Sequence, residues 1–571
     1  MILKARRTEK RNRASELKRE LFVLRIKLAV FFLLISFPAF TLSFSDEGSI
    51  EELAFRLTAE MSDEQALAQT FMLGWVGAEP SPLIMNWIRE RNIGGVKIFG
   101  WNTENTLRLA ETVGVLQKSA LSTQFGIPLL VATDQEGGMV RHVKGATSET
   151  PGNMAIGASG RPMDAYWSGY YIGKELALLG INMNFAPAVD LYTNRDSTLI
   201  GPRSFGDDPV RTGILGAAFA KGHEETGVIA TAKHFPGHGD TDLDSHGVLP
   251  RINIPFELLW DRELLPYRML SREGLPAIMS GHLAFPRTPA GEAPASLSSW
   301  FLTDILRDKI AYKGLIITDD IMMNGATNYS GSLSRAAKQA LVAGNDIIML
   351  SKTPFLFDPV WTFLVSAMKE EPEFNDRVRD ACRRILALKL KYLRGDKKVP
   401  YVPDLEKIEP GLNDPEAAAF FLDLAARSVT LVNDKNVFPL DREKAGRVLL
   451  AGNFSDFFDA GRRAYPGAIS YWYSPSQGAA DLIPYARNAD TVIFCLSDRA
   501  GLRILEQLRS LNKRIIVFSV LNPVFLEQTS WADGAVAVYS YASESFIAGF
   551  SAMLGRIPGS GRSPLHLNGR R

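Results

Sequence analysis

The chain has 571 residues, 46% hydrophobic and 22% charged, with a formal net charge of +1 and two cysteines. That length exceeds a single core and points to two domains behind an N-terminal segment. Two cysteines exclude a disulfide-built scaffold and a thiolate metal cluster. The charge is uneven: residues 1–27 hold ten Lys/Arg against three Glu, which leaves 54 basic and 60 acidic residues beyond them and no electrostatic footprint for nucleic acid.

The basic stretch leads into residues 28–44, uncharged throughout and containing Pro38, with Ser43-Phe44-Ser45 as a small-x-small site before Asp46. Residues 1–45 therefore read as a secretory signal. An uncleaved membrane anchor through residues 28–44 is the alternative. Either one exports the body, which is expected to be periplasmic, secreted or membrane-anchored facing outside the cytoplasm.

From 46 to 395, strand-like runs at 95–99, 128–133, 181–185, 228–232, 277–280, 315–318 and 346–350 alternate with helix-like stretches such as 164–179, 302–309 and 334–342. This is the pattern of βαβ units and a parallel sheet. Seven strands favour a (β/α)8-like TIM barrel with one strand degenerate or missing, and a doubly wound open sheet is the alternative. A periodic helix at 376–393 closes the unit. Residues 396–415, with Pro400, Pro403, Pro410 and Pro415, read as a linker. Apolar runs at α/β spacing from 416 to 571 predict a smaller α/β sandwich domain without a comparable cluster of His and carboxylates.

The densest chemistry lies at 233–246, Lys-His-Phe-Pro-Gly-His-Gly-Asp-Thr-Asp-Leu-Asp-Ser-His, read as a Gly-rich loop just past the strand at 228–232. Such strand ends are where parallel α/β proteins place their chemistry. Asp244 and His246, two apart, form an oriented carboxylate–imidazole pair suited to proton transfer near neutral pH, with a solvated turn as the bland alternative. His234 and His238 stand i, i+4, but Pro236 and Gly237 between them preclude a helical metal pair, and no metal is expected. Other strand ends carry Asp134 and Glu136, then Arg203 among glycines and a proline, then Asp319 with Asp320, the latter available as a helix cap. A mouth lined by Asp134, Arg203, Lys233, His234 and Asp319 suits a polyhydroxylated substrate. Retaining glycoside hydrolysis needs a carboxylate nucleophile and a separate proton donor. Asp319 fits the first role. His246, oriented by Asp244, fits the second in place of the usual second carboxyl.

Lys233-His-Phe-Pro-Gly-His-Gly239 with Asp244-Ser245-His246 resembles the signature of the β-N-acetylglucosaminidase branch of glycoside hydrolase family 3. Asp134-Gln-Glu-Gly-Gly, Pro151-Gly-Asn-Met-Ala155, Asn184-Phe-Ala-Pro-Ala-Val-Asp190, Ile200-Gly-Pro-Arg203-Ser-Phe-Gly and Thr318-Asp319-Asp320 match it too, in the family's order, over about residues 50–395. The resemblance implies a barrel-type first domain, β-linked N-acetylglucosamine substrates such as muropeptides, retention of configuration, and neither metal nor cofactor. It implies Asp319 as nucleophile, Asp244 and His246 as acid/base, and Asp134, Arg203, Lys233 and His234 as the residues that hold the sugar. Residues 425–433 and 438–440 resemble the two-domain members. One position departs: the Arg expected eight residues after Asp134 is His142, with Arg141 beside it, so either Arg141 substitutes or the sugar contact is altered. A glycoside phosphorylase or a β-glucosidase on the same scaffold, and a sugar-binding protein without catalysis, are the competing functions.

Overall fold

Eight parallel strands close into a barrel in chain order: β1 (Phe71–Gly74), β2 (Gly95–Lys97), β3 (Leu130–Thr133), β4 (Met183–Asn184), β5 (Ile229–Phe235), β6 (Ala277–Ser280), β7 (Leu315–Asp320) and β8 (Ile347–Leu350), with β1 paired to both β2 and β8. The computed structural model describes residues 42–197, 199–241, 243, 247–432, 435–474 and 479–567. The strands are almost wholly buried, because helices cover the outside while side chains fill the inside. The helix Pro209–Glu225 shows how the crossovers begin: Pro209 opens the first turn and the Asp208 carboxylate accepts the Val210 and Arg211 amides.

Three features differ from the sequence-based expectation. The barrel has all eight strands, and β1 is the one without a sequence signal. Its Phe-Met-Leu-Gly follows the helix Asp63–Gln69 with Thr70 alone between them, and it contains no β-branched residue. β5 extends to Phe235, so Lys233 and His234 are strand residues fixed by the barrel rather than loop residues. Between 396 and 415 lies a helix, Leu405–Leu412, capped by Asp404. Its Ile408 and Leu412 are buried in the core that also holds Leu109 and Leu176, so this stretch is packed on the barrel's outer helices.

A second sheet follows, with β9 (Thr430–Val432), β10 (Val448–Gly452), β11 (Ile469–Trp472), β12 (Thr491–Leu496), β13 (Arg514–Ser519) and β14 (Gly534–Ala537) in the order β9-β14-β13-β12-β10-β11. All neighbours are parallel except β9 and β14. Alternate residues enter two cores, Ile493, Cys495, Ile516 and Phe518 on one face and Val492, Phe494, Ile515 and Val517 on the other. The second core also takes in Met154, Ala155 and Tyr192 from the barrel half, and Phe44–Arg571 form one compact unit. Both cysteines are buried free thiols. Residues 1–41 of the segment read as signal or anchor lie outside the described residues, among which no helix is long and apolar enough to cross a membrane.

Candidate active site

The C-terminal strand ends surround a cleft of about 480 Å³, an ordinary size for a small-molecule site. Asp134, Arg203, Lys233, His234 and Asp319 all line it, so the barrel gathers five of the seven sequence-predicted site residues into one place. Asp244 and His246 lie outside the described residues.

At the floor, Lys233 from β5 sits between two carboxylates. Its ammonium contacts Asp134 and lies 2.6 Å from Glu136. Arg203 closes the network with a two-point grip on Glu136, Nη2 to Oε1 at 2.7 Å and Nε to Oε2 at 2.9 Å. Burial would raise the Glu136 carboxyl, but Arg203 and Lys233 outweigh it and hold it at about 2. Glu136 is almost fully enclosed. It is the fixed counter-charge that sets the directions of Arg203 and Lys233, while Asp134 remains more open to the cleft.

Asp190, carried just after β4, organises the next stretch. Its carboxylate accepts the His234 amide at 3.1 Å and the His238 amide at 2.7 Å, and pairs with His234 Nδ1 at 2.7 Å. That pairing turns His234 Nε2 toward the cleft side, 3.4 Å from Arg203. His238 is buried at the edge of the same cleft, and burial pushes it down to about 4. Two glycines set the path beyond: Gly237 has φ +138°, and a Cβ on Gly239 would stand 1.5 Å from the Leu191 carbonyl.

Asp319 stands near the end of β7, its Oδ1 accepting the Asp320 amide at 2.8 Å. Burial raises its pKa, but His234, His282 and that amide outweigh it, so Asp319 stays ionised below the ordinary aspartate value. Asp320 does not cap the helix Asn324–Ser330. Its carboxylate accepts the amides of Met322 and Ser351, both at 3.1 Å, and so ties β7 to the end of β8. His282, which sequence reasoning passed over, lies under this pair, with Nδ1 2.7 Å from Ser296 Oγ and Nε2 3.0 Å from the Asp320 carbonyl.

Lys97 is the second residue that sequence reasoning missed. It ends β2, is fully buried, and sits 2.8 Å from Asp134 Oδ2 and 3.3 Å from His142 Nδ1. Its ammonium lies over the Phe99 ring at 4.3 Å. The departure at 142 now has a geometry. Arg141 turns away to the Thr147 carbonyl and to Glu149, at 2.6 and 2.7 Å, and does not substitute. His142 lines the cleft, 3.6 Å from Asp134, and burial with Lys97 nearby pushes it down to about 4, neutral at neutral pH. Lys97 therefore supplies the cation that His142 does not. The signal available in the sequence was a lysine inside an apolar strand.

The barrel is also where the chain matches a known family. Residues 64–388 fit the model described as "Glycosyl hydrolase family 3 N terminal domain". The chain belongs to glycosyl hydrolase family 3. Beta-hexosaminidase A of Pseudoalteromonas piscicida is 32% identical over 381 residues, 63% of this chain and 62% of that protein. The chain thus spans somewhat less than two thirds of that relative. A beta-hexosaminidase of Tolumonas auensis is 36% identical over 266 residues, covering 46% of this chain and 76% of the relative. Among solved structures, a glycoside hydrolase family 3 beta-N-acetylglucosaminidase from a Paenibacillus species superposes with a TM-score of 0.79 at 27% identity, covering 89% of this chain and 99% of that one.

Proposed function

We propose that this family 3 member is an exported retaining β-N-acetylglucosaminidase that removes terminal β-linked N-acetylglucosamine, with peptidoglycan fragments as its source. One observation carries the reading: an ionised aspartate, Asp319, faces a cleft whose floor is a charge network of Asp134, Lys233, Glu136 and Arg203. The network offers donors and acceptors to sugar hydroxyls, and Asp319 offers a nucleophile. The hexosaminidase relatives support the acetamido sugar, and the basic-then-apolar N-terminus supports export.

In this mechanism Asp319 attacks the anomeric carbon as the glycosidic bond breaks. His246, protonated and oriented by Asp244, passes its proton to the leaving oxygen. Water then adds to the same carbon, gives its proton to His246, and displaces Asp319, so the β configuration is retained and both residues return to their starting states.

The test is turnover of nitrophenyl N-acetylglucosaminide and nitrophenyl glucoside by protein from residue 46 onward, with phosphate varied. Release of free N-acetylglucosamine, slow turnover of the glucoside, and a loss of at least about 10³-fold in Asp319→Asn are expected. Equal turnover of both sugars would overturn the substrate. Glycosyl phosphate as the main product would make the enzyme a phosphorylase, and an active Asp319→Asn would overturn the nucleophile.

A further inference from the structure

The rim of the cleft carries an aromatic column that the chemistry at its floor does not use. The ammonium of Lys97, fixed by Asp134, lies over one ring, Phe99, at 4.3 Å. Phe99 stacks in turn on Trp101, with centroids 4.5 Å apart and planes 11° from parallel. Trp101 lines the cleft and is nevertheless 47% exposed. An exposed indole on an ordinary loop would move, but this one is held. Its Nε1 donates to the Trp75 carbonyl at 2.7 Å. The turn bearing it is locked by buried Asn102, whose Oδ1 accepts the Phe99 amide and whose Nδ2 reaches the Trp75 and Gly77 carbonyls. Gly74 lets Phe99 approach β1, since a Cβ there would stand 2.7 Å from the Phe99 ring.

The column is therefore a pre-formed platform: polar contacts fix the indole, Phe99 covers one face, and the residue keeps exposed area at the mouth. Exposed tryptophan with its orientation already fixed loses little conformational freedom on binding. Its flat face matches the axial C–H face of a β-linked hexopyranose, while the ring hydroxyls point outward to water.

We propose that Trp101 is the platform of an aglycone subsite, on which a second hexopyranose, joined to the N-acetylglucosamine on the floor, stacks its C–H face. This rests on the N-acetylglucosaminide reading above. If only the terminal sugar enters the floor, whatever is attached to it leaves through the mouth and meets the rim. The subsite would make the enzyme select glycans over small aglycones.

The experiment compares kcat/KM on β-linked N,N′-diacetylchitobiose with that on methyl β-N-acetylglucosaminide, in wild type, Trp101→Ala and Trp101→Phe. The ratio of the two is the readout, and the methyl glycoside reports folding and floor chemistry within the same variant. In Trp101→Ala the ratio falls about five- to twenty-fold, mainly through KM for the disaccharide, because stacking and apolar burial are lost. Trp101→Phe restores most of it. A ratio unchanged in Trp101→Ala overturns the subsite, as does one that Trp101→Phe leaves as low as Trp101→Ala. Wild-type protein that turns over neither substrate brings down the N-acetylglucosaminide reading, and the subsite with it.

Discussion

Three cations, Lys97, Lys233 and Arg203, stand among three carboxylates, Asp134, Glu136 and Asp319, and the balance is kept by an exchange of position: the charge expected at 142 sits at 97. Replacing Lys97 with Met leaves Asp134 short of a buried partner, a loss of about 3–5 kcal/mol for pairs of this kind. His142→Arg in that background returns a cation within reach of Asp134, so the double variant should melt above Lys97→Met alone. His142→Arg in the wild type adds a fourth cation and should gain nothing. Thermal unfolding of the four proteins checks the cycle, and a double variant no more stable than the single one would sink the idea of a relocated charge. Asp319 supplies a second prediction at this scale. Its pKa is depressed, so the ionised form that the proposed mechanism requires persists as pH falls through the ordinary aspartate range. The acid limb of kcat/KM should therefore lie below about pH 4, and a midpoint above 5 would contradict the environment described for it. Asp134, Lys233, His234 and Asp319 were legible in the sequence because each follows an apolar run that a barrel turns into a strand end, and Arg203 because glycines and a proline surround it in the long loop after β4. Lys97 was missed although a lysine inside an apolar strand marks it, because its partner Asp134 lies 37 positions away and nothing local names that partner.

The long helix Pro372–Leu393 was readable from its periodicity, yet it carries a residue its apolar face does not explain. Lys389 is fully buried among the barrel's outer layers, and its ammonium donates to Gln69 Oε1 at 2.9 Å. Burial pushes it down to about 7. An unfolded lysine keeps its proton to about 10.4. Between these values the unfolded chain binds the extra proton, so this residue makes the fold more stable as pH rises from 7 toward 10. The contribution is about 5 kcal/mol at most. Nearby Cys382 is pushed up to about 12 and stays a thiol across that window. In Lys389→Met, chemical denaturation at pH 7 and pH 9.5 should show the wild-type advantage growing by a few kcal/mol with pH. A constant difference would mean that Lys389 is hydrated in the fold. Short strands taught the opposite lesson to this helix: β1 is four apolar residues next to a helix, and only closure of the barrel makes it a strand.

At the scale of the whole chain, the second sheet serves the first through the loop that bears Arg203. Among the described residues the cleft is lined from the barrel half, and the sandwich packs behind the loop that bears Arg203. Helix Gly152–Ser159, shared between the two halves, holds the Arg203 carbonyl through Asn153 at 2.7 Å. From the other side the C-terminal stretch grips Asp207: its carboxylate accepts the His566 amide at 2.8 Å and pairs with His566 Nδ1 at 2.7 Å and with Arg195 at 2.9 Å. Leu565 and Leu567 bury themselves in the core that holds Tyr192, at the start of the same loop. Asp207→Ala removes three of these contacts at once while leaving every cleft residue in place. Arg203 would then be aimed less firmly, and substrate binding should weaken before chemistry does. KM for the N-acetylglucosaminide should rise about three- to ten-fold with a smaller change in kcat, since uniform binding is lost when a positioning loop loosens. A melting temperature that falls while KM stays fixed would make the grip a matter of stability alone. A KM that rises would mean that residues 560–567, some 360 positions from Arg203, help to set its affinity for sugar.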